Sequence, residues 1–387
     1  MRIVCIGGGP AGLFFGILAA RAGHHMTVLE QQDPVESFGW GVVFWDGLLN
    51  ELDARDSDTA ALIRRNAYRW VDQKVVVGDS EPVRIPSYGY SMRRRLLLEL
   101  LRWRAEECGV QIEPIQFRGD PAQLRADLVI GSDGANSRMR AQQSGFGTRL
   151  LKRRNKYIWL GTDKEFCSFT FPFVDTSVGW LWAHAYGFED GVSTFVVESA
   201  PETWAALGFH MLDSDATVRR LEQLFEPTLE GHRLYGQAGA GRRQPWTEFV
   251  EVRNRRWHVG NLALMGDAAH TTHFTIGSGT RLAMEDAMAL IGALTDGTSI
   301  EGALASYGQC RRRRLRSMQR LASRSARWFE QVPRYIGRSS NEFAALMDSR
   351  RSPMMAHLPV GAYLALTNAA AELPFIEAPL RRLVSKL

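Results

Sequence analysis

Arg2-Ile3-Val4-Cys5-Ile6 runs directly into Gly7-Gly8-Gly9-Pro10-Ala11-Gly12, and few folds accommodate that join. The first run is short and β-branched, as a buried strand requires. Leu13, Phe14, Ile17, Leu18 and Arg21 then recur at helical spacing, and Gly23 ends the helix. His25 to Glu30 reads as a second strand. Strand, G-x-G-x-x-G and helix together form the βαβ unit of an open Rossmann-like sheet. In that unit Gly7 permits the tight turn and Gly9 lets the backbone approach a pyrophosphate. Pro10 and Ala11 start the helix, and Gly12 lets helix and strand close together. Glu30 falls at the end of the second strand, where a carboxylate accepts from ribose hydroxyls. It would repel a phosphorylated ribose, so the pocket suits the adenosine of FAD or NAD, not NADP. A glycine-rich turn that binds nothing is the weaker reading, because strand, helix, spacing and acid are all present.

A second strand–turn–helix lies far downstream. Leu262 to Met265 is apolar, Gly266-Asp267-Ala268-Ala269-His270 forms a turn, and Gly277-Ser278-Gly279-Thr280 feeds a helix from Arg281 to Leu290. This places the Asp267 carboxylate at a strand's C-terminal end. The helix start offers free N–H groups and a positive dipole end to an anion. A third acid-glycine turn, Asp133-Gly134 before Ser137 and Arg140, follows the strand-like Ala126 to Ile130. Asp133 can hold the next element or a cofactor.

Between these landmarks the texture changes. Val75–Val77 and Val83–Ile85 flank Gly78-Asp79-Ser80 as a hairpin. Phe38 to Phe44 reads as an apolar loop that either walls a flat ring or packs in the core. Met92 to Leu101 is a periodic helix whose arginines, Arg93 to Arg95, are mostly a solvated face. Tyr157–Thr162, Ser168–Phe171, Gly179–Tyr186 and Ser193–Glu198 are aromatic and β-branched, as antiparallel strands are. Pro201–Leu207 and Asp213–Phe225 read as helices on that sheet. Arg311 to Arg316 reads as a solvated helix face. Lys152-Arg153-Arg154-Asn155-Lys156 reads as a solvated loop, with contact to a CoA phosphate as the weaker alternative.

The net charge of +5 suits dinucleotide phosphates or acidic thioester carriers and is too mild for nucleic acid. Four scattered cysteines, none in C-x-x-C spacing, fit a reduced cytoplasm with no metal site and no disulfides. No apolar run approaches the roughly 20 residues that span a bilayer. Leu358–Phe375, interrupted by Pro359 and Gly361, reads as a docked tail. A strand beginning at Arg2 leaves no room for a cleaved leader.

Taken in order, GGGPAG at 7–12 with Glu30, SDGANSRMR at 132–140 and GDAAH…GSG at 266–279 resemble the single-component (group A) FAD aromatic hydroxylases with the p-hydroxybenzoate-hydroxylase fold. RNKYIWLGT at 154–162, HAY at 184–186, STF at 193–195, HFTIGSGT at 273–280 and RWFE at 327–330 look like one branch of that family. That branch includes the violacein-pathway hydroxylase, salicylyl-CoA 5-hydroxylase and 2-aminobenzoyl-CoA monooxygenase. The resemblance implies an α/β fold: a Rossmann-like FAD-binding domain, an inserted antiparallel-sheet substrate domain, and C-terminal helices. The expected boundaries are 1–72, 90–150 and 252–300 for FAD, 73–89 and 151–251 for substrate, and 301–387 for the helical region. It implies that Gly12 and Glu30 meet the FAD pyrophosphate and adenosine ribose, and that Arg94, in an R-x-x-L with Leu97, meets the pyrophosphate. Asp267 would lie by the ribityl chain, with Gly277, Gly279 and Thr280 on the pyrimidine edge. The broad family has proline where Phe274 stands and asparagine where Arg281 stands, although the branch shares the phenylalanine.

The implied reaction is hydroxylation of an electron-rich aromatic ring with NAD(P)H and O2, through a flavin C4a-hydroperoxide. The protein's task is to position the ring and exclude water. A general base would raise the ring's electron density. Tyr157, His184, Glu198, His270 and His273 are the candidates, unranked. NAD(P)H is expected to bind transiently, since no second G-x-G-x-x-G is present. The substrate is a small aromatic, either free or a thioester of CoA or a carrier protein; oligomeric state stays open. Three rivals remain. A halogenase fits less well because Trp180-Leu181-Trp182 continues into Ala183-His184 without W-x-W-x-I-P. A non-catalytic FAD redox sensor or scaffold needs no aromatic sheet. A plain NAD dehydrogenase would purify colourless.

Overall fold

The computed structural model describes residues 1–31, 39–236, 246–297 and 299–350, together with 361, 362 and 365. Phe38 and nearly all of the expected tail at 358–375 lie outside the described residues. Two sheets organise the rest. The first runs His258–Val259, Leu262–Leu264, Leu128–Gly131, Arg2–Ile6, His25–Leu29, Gln111–Glu113, and every pair except the first is parallel. Helices cover its faces, so its central strands Arg2–Ile6, Leu128–Gly131 and Leu262–Leu264 are almost wholly apolar. The helix Pro10–Arg21 is buried from Ala11 to Ala19, and Gly16 lets it settle on Val28 and Val110.

The second sheet is larger. Its path is Leu234–Tyr235, Arg149–Thr162, Val192–Ser199, Gly179–Glu189, Phe169–Thr176, Tyr68–Val77, Val83–Arg93, Gly41–Phe44, and Thr247–Arg253 pairs beside Arg149–Thr162. The pairing is antiparallel except where Tyr68–Val77 meets Phe169–Thr176 in parallel. The architecture is therefore the expected α/β one, with an inserted sheet and C-terminal helices. Two local readings need correction. Residues 41–44 form a strand where a loop was expected: the Gly41 amide donates to Thr194 Oγ1 and its carbonyl accepts from Tyr186 Oη, each at 2.8 Å. The basic run 152–156 is also strand, and its cations are occupied. Lys152 and Lys156 pair with Glu248, Arg153 with Glu251 and Arg154 with Glu202.

The C-terminal helices Ile300–Phe329 and Ser340–Ser349 close the back of the second sheet. Phe329 stacks on Trp182, and Phe343 meets Phe173 edge-on. The arginine run in the first of these helices is not uniformly solvated. Arg313, Arg314 and Arg316 are exposed, but Arg311 is 1% exposed. Its Nε donates to Asp286 at 2.6 Å and its Nη1 to Glu285 at 3.0 Å. Asp286, itself fully buried, also accepts from the Gly266 amide and from His270 Nε2. Tyr307 Oη donates to Leu264 O. One carboxylate thus ties together a strand end, the turn after it and two helices. An internal countercharge, not solvent, decides where Arg311 points.

Burial pushes the Asp286 carboxyl up, but His270 and Arg311 outweigh it and hold it below its ordinary value. A depressed folded-state pKa stabilises above the unfolded value of about 3.9 and loses that contribution as pH falls below it. Arg311→Met, which strands the carboxylate, should cost about 3–5 kcal/mol in urea unfolding at neutral pH. Asp286→Asn should flatten the loss of stability below about pH 4; an unchanged acid limb would contradict this role.

Candidate active site

The first glycine turn is built against the Asp133 turn. Gly7 has φ +107°, and a Cβ there would lie 2.4 Å from Ser132 O. Ser132 Oγ donates to Gly7 O at 2.7 Å. A Cβ on Gly12 would lie 2.1 Å from Gly7 O, whereas one on Gly9 would meet nothing within 4 Å. Gly12 therefore serves packing, and Gly9 faces open space. Pro10 occupies the first helical turn and no side chain caps the helix. Glu30 accepts the Gly8 amide through Oε2.

The late turn comes to the same place. Ala11 Cβ lies 3.1 Å from where a Cβ on Gly266 would stand. Gly277, at φ +59°, abuts Val43 and Trp45, and nothing lies near a Cβ on Gly279. The helix Gly279–Asp296, with Thr280 in its first turn, also starts without a side-chain cap, because Ser278 Oγ is engaged with Thr272 Oγ1. Two uncapped helix starts, each with an open glycine, therefore border one cleft. Asp133 mainly supports this arrangement: its Oδ2 accepts from the Arg138 and Met139 amides. Ser137 caps the next turn and Arg140 donates to Ala268 O.

Of the three adjacent arginines, Arg93 and Arg95 pair at the surface with Glu189 and Glu99. Arg94 turns inward. Burial lowers its pKa, while Asp267 and then Glu30 push it back up. Asp267 faces the open cleft. Loss of water raises its pKa, Asp286 adds to that, and His270 and Arg94 oppose it. A cation between two carboxylates, with two bare helix starts and an open glycine face, fits FAD. The helix starts and Arg94 would hold the pyrophosphate. Glu30 would hold the adenosine ribose and Asp267 the ribityl side.

Beyond Asp267 the cleft meets the large sheet. Burial raises the Tyr157 pKa, with Asp267 and then Glu198 adding to it. Its ring lies 4.8 Å from Phe274, which also touches His184 at 5.4 Å and His273 at 4.4 Å. Phe249 covers His273 from another side. Behind this wall Glu198, 1% exposed, accepts from Asn155 Nδ2 at 2.8 Å, Trp182 Nε1 at 3.0 Å and His184 Nε2 at 3.2 Å. Burial raises its carboxyl, but His184, His273 and Asn155 outweigh that and hold it below its usual value. Burial pushes His273 down to about 4. Tyr157, His184, Glu198 and His273 are thus brought together. His270 stands apart from them in its contacts, stacked on Trp257 and bonded to Asp286.

Sequence reasoning missed Asn155, Trp182, Asp286 and Arg311. Asp286 carried a signal: it shares a helix stripe with Leu282, Ala283, Ala287 and Leu290, where an acid has no solvent to face.

Two open helix starts beside an aromatic cluster with a buried carboxylate–histidine pair fit a flavoprotein that works on an aromatic molecule. The family model described as "FAD binding domain" matches residues 97–322. Salicyloyl-CoA 5-hydroxylase from a Streptomyces species is 38% identical over 87% of this chain, which spans 66% of that relative's length. The 3-hydroxy-4-methyl-anthranilyl-[aryl-carrier protein] 5-monooxygenase of Streptosporangium sibiricum is 36% identical, covering 86% of this chain and 90% of the relative. Protodeoxyviolaceinate monooxygenase of Chromobacterium violaceum is 30% identical, covering 92% and 95%. Among solved structures, Pseudomonas aeruginosa PqsL in complex with 2-aminobenzoylacetate aligns with TM-score 0.67 at 21% identity, covering 87% of this chain and 98% of that one. That likeness shows the fold alone. The chain belongs to the FAD-dependent aromatic hydroxylases of the p-hydroxybenzoate-hydroxylase fold.

The two glycines separate packing from binding. Gly9→Val, at φ −74° with open space before it, should leave the unfolding free energy within about 1 kcal/mol yet give a colourless protein. Gly12→Ala should cost about 1–3 kcal/mol through its clash. Flavin absorbance and urea unfolding check both; a yellow Gly9→Val protein would contradict the assignment.

Proposed function

We propose that the chain hydroxylates an electron-rich aromatic ring carried as a thioester of CoA or a carrier protein, with NAD(P)H as reductant and O2 as oxidant. The observation that carries the reading is the aromatic cluster of Tyr157, Phe274, Phe249 and His273 packed against the buried His184–Glu198 pair, with His273 and Phe274 on the same 266–280 segment that presents Asp267 and the open helix start. Two of the relatives above are named for aryl thioesters, which supports the substrate class. A free aromatic, as in the violacein-pathway relative, is the second reading. No helix among the described residues is long and apolar enough to cross a membrane, and the scattered free cysteines fit a cytoplasmic enzyme. The same proposal divides the chain into an FAD-binding part at 1–72, 90–150 and 252–300, a substrate part at 73–89 and 151–251 and a helical region at 301–387, with the strands Gly41–Phe44, Tyr68–Val77 and Val83–Arg93 joining the substrate-side sheet.

FAD, when bound, supplies the activation of O2 with electrons from NAD(P)H. The residues of the chain do the rest. Phe274, Tyr157 and Phe249 hold the ring and keep water out. The Glu198 carboxylate fixes the proton of His184 on Nε2 and stabilises the ring when it becomes doubly protonated. The His184–Glu198 pair then takes the proton of the substrate's ring hydroxyl or amine, raising electron density at the carbon attacked. Tyr157, with its raised pKa, stays a neutral donor. His270 acts through Asp286 and touches no reacting atom.

Glu198→Gln should lower the rate of product formation about 10²-fold or more. NAD(P)H oxidation should continue, discharged as hydrogen peroxide, and His184→Asn should add little to that loss. Product and peroxide assays on a panel of aryl-CoA esters and their free acids check both the residue roles and the substrate class. Coupled hydroxylation by Glu198→Gln at the unmodified rate would reject the dyad. Turnover of free acids alone would favour the second reading.

A further inference from the structure

His273 touches the aromatic wall, but a chain of hydrogen bonds behind it comes from the other end of the protein. Arg350, 2% exposed at the end of the helix Ser340–Ser349, donates from Nε to Ser325 Oγ at 3.1 Å. Its guanidinium lies over Phe329 at 4.9 Å, with Trp328 and Phe171 beside it. Ser325 Oγ lies 2.8 Å from Thr275 Oγ1. Thr275 Oγ1 lies 3.1 Å from His273 Nδ1, and the Thr275 amide is aimed at the same nitrogen from 3.5 Å. Ser325 is fully buried, and Thr275 and His273 nearly so.

The direction of each bond follows from its donors. A guanidinium only donates, so Ser325 accepts from Arg350. A backbone N–H only donates, so the nitrogen it faces carries no proton. The Thr275 hydroxyl proton therefore goes to Nδ1, and Thr275 Oγ1 accepts from Ser325. Nε2 must carry the ring proton. That atom has no hydrogen bond among the described residues, whereas Nδ1 is engaged with Thr275.

We infer that Arg350, Ser325 and Thr275 form a one-way hydrogen-bond chain that fixes His273 as an Nε2–H donor for an acceptor oxygen of the aromatic substrate. The inference rests on the substrate-pocket reading above. It assigns His273 the opposite duty to a general base: it gives a hydrogen bond and takes no proton. Its suppressed protonation, down to about 4, agrees. A carbonyl or ring oxygen of the substrate is the matching group. His184 is then left as the base and His273 as the orienting donor, with Phe274 between them. Arg350, Ser325 and Thr275 are positioning residues that act only through His273.

Two readouts test this. In FAD-loaded protein with 15N-labelled histidines, NMR should place the His273 proton on Nε2 alone from pH 5 to 8, its signals assigned by their loss in His273→Gln. Thr275→Val keeps the side chain's shape and removes the hydroxyl. It should populate the Nδ1–H form and raise the substrate KM about tenfold, with kcat changed far less. Thr275→Ser, which keeps the hydroxyl, should restore both, and unchanged flavin absorbance shows that all variants are folded. A proton on Nδ1 in the unmodified protein, or a doubly protonated ring near pH 7, would overturn the inference. So would equal KM values for Thr275→Val and Thr275→Ser. Should no aromatic be hydroxylated by the unmodified enzyme, the functional reading fails, while the tautomer measurement still decides the chain's direction.

Discussion

The Asp286 carboxylate is the constraint on which the site depends. It is buried without access to water, so it must be neutralised from within. Arg311 supplies the charge, while His270 and the Gly266 amide supply hydrogen bonds. Those partners belong to the long C-terminal helix and to the turn after the strand Leu262–Leu264. Holding them together fixes the path of residues 266–280. Asp267, His273, Phe274 and the open glycine at the helix start all project from that path. Removing the charge would loosen both the flavin-side groups and the aromatic wall.

The cleft is electrostatically continuous. Arg94 responds to Asp267 and Glu30, and Tyr157 to Asp267 and Glu198. The inserted sheet adds little charge of its own at its basic edge, since Arg149–Thr162 meets Glu248, Glu251 and Glu202 there. The C-terminal helices complete the pocket from behind: Phe329 lies 4.9 Å from His184, and Ser325 reaches Thr275.

The dinucleotide half was legible because its signals are local. A strand, three spaced glycines and an acid name a geometry within 30 residues; the structure shows Gly7 and Gly12 at close approaches, Gly9 at open space and Glu30 against the Gly8 amide. Arg94 was legible as one of three arginines, and only the fold shows which one turns inward. The polar supports were not legible. Glu198 finds Asn155, Trp182 and His184 through strand register, and Arg350 reaches His273 through two hydroxyls on different elements. Such contacts leave no spacing in the chain. The run 311–316 misled because its average is solvated while Arg311 answers a buried acid 25 residues upstream on the neighbouring helix. The strand at 41–44 misled because glycine-punctuated runs ordinarily mark loops, and here Gly41 is required for close approach to Phe188 and Thr194.

The account stands on a flavoprotein that inserts one oxygen atom from O2 into an aromatic ring. The most direct test supplies isotopically labelled O2 and NAD(P)H to the FAD-loaded enzyme with the aryl-thioester panel, and follows label by mass spectrometry. The account predicts a ring hydroxyl carrying a single labelled oxygen, formed in step with NAD(P)H consumed. Label found only in hydrogen peroxide and water, with every aromatic recovered unchanged, would contradict it.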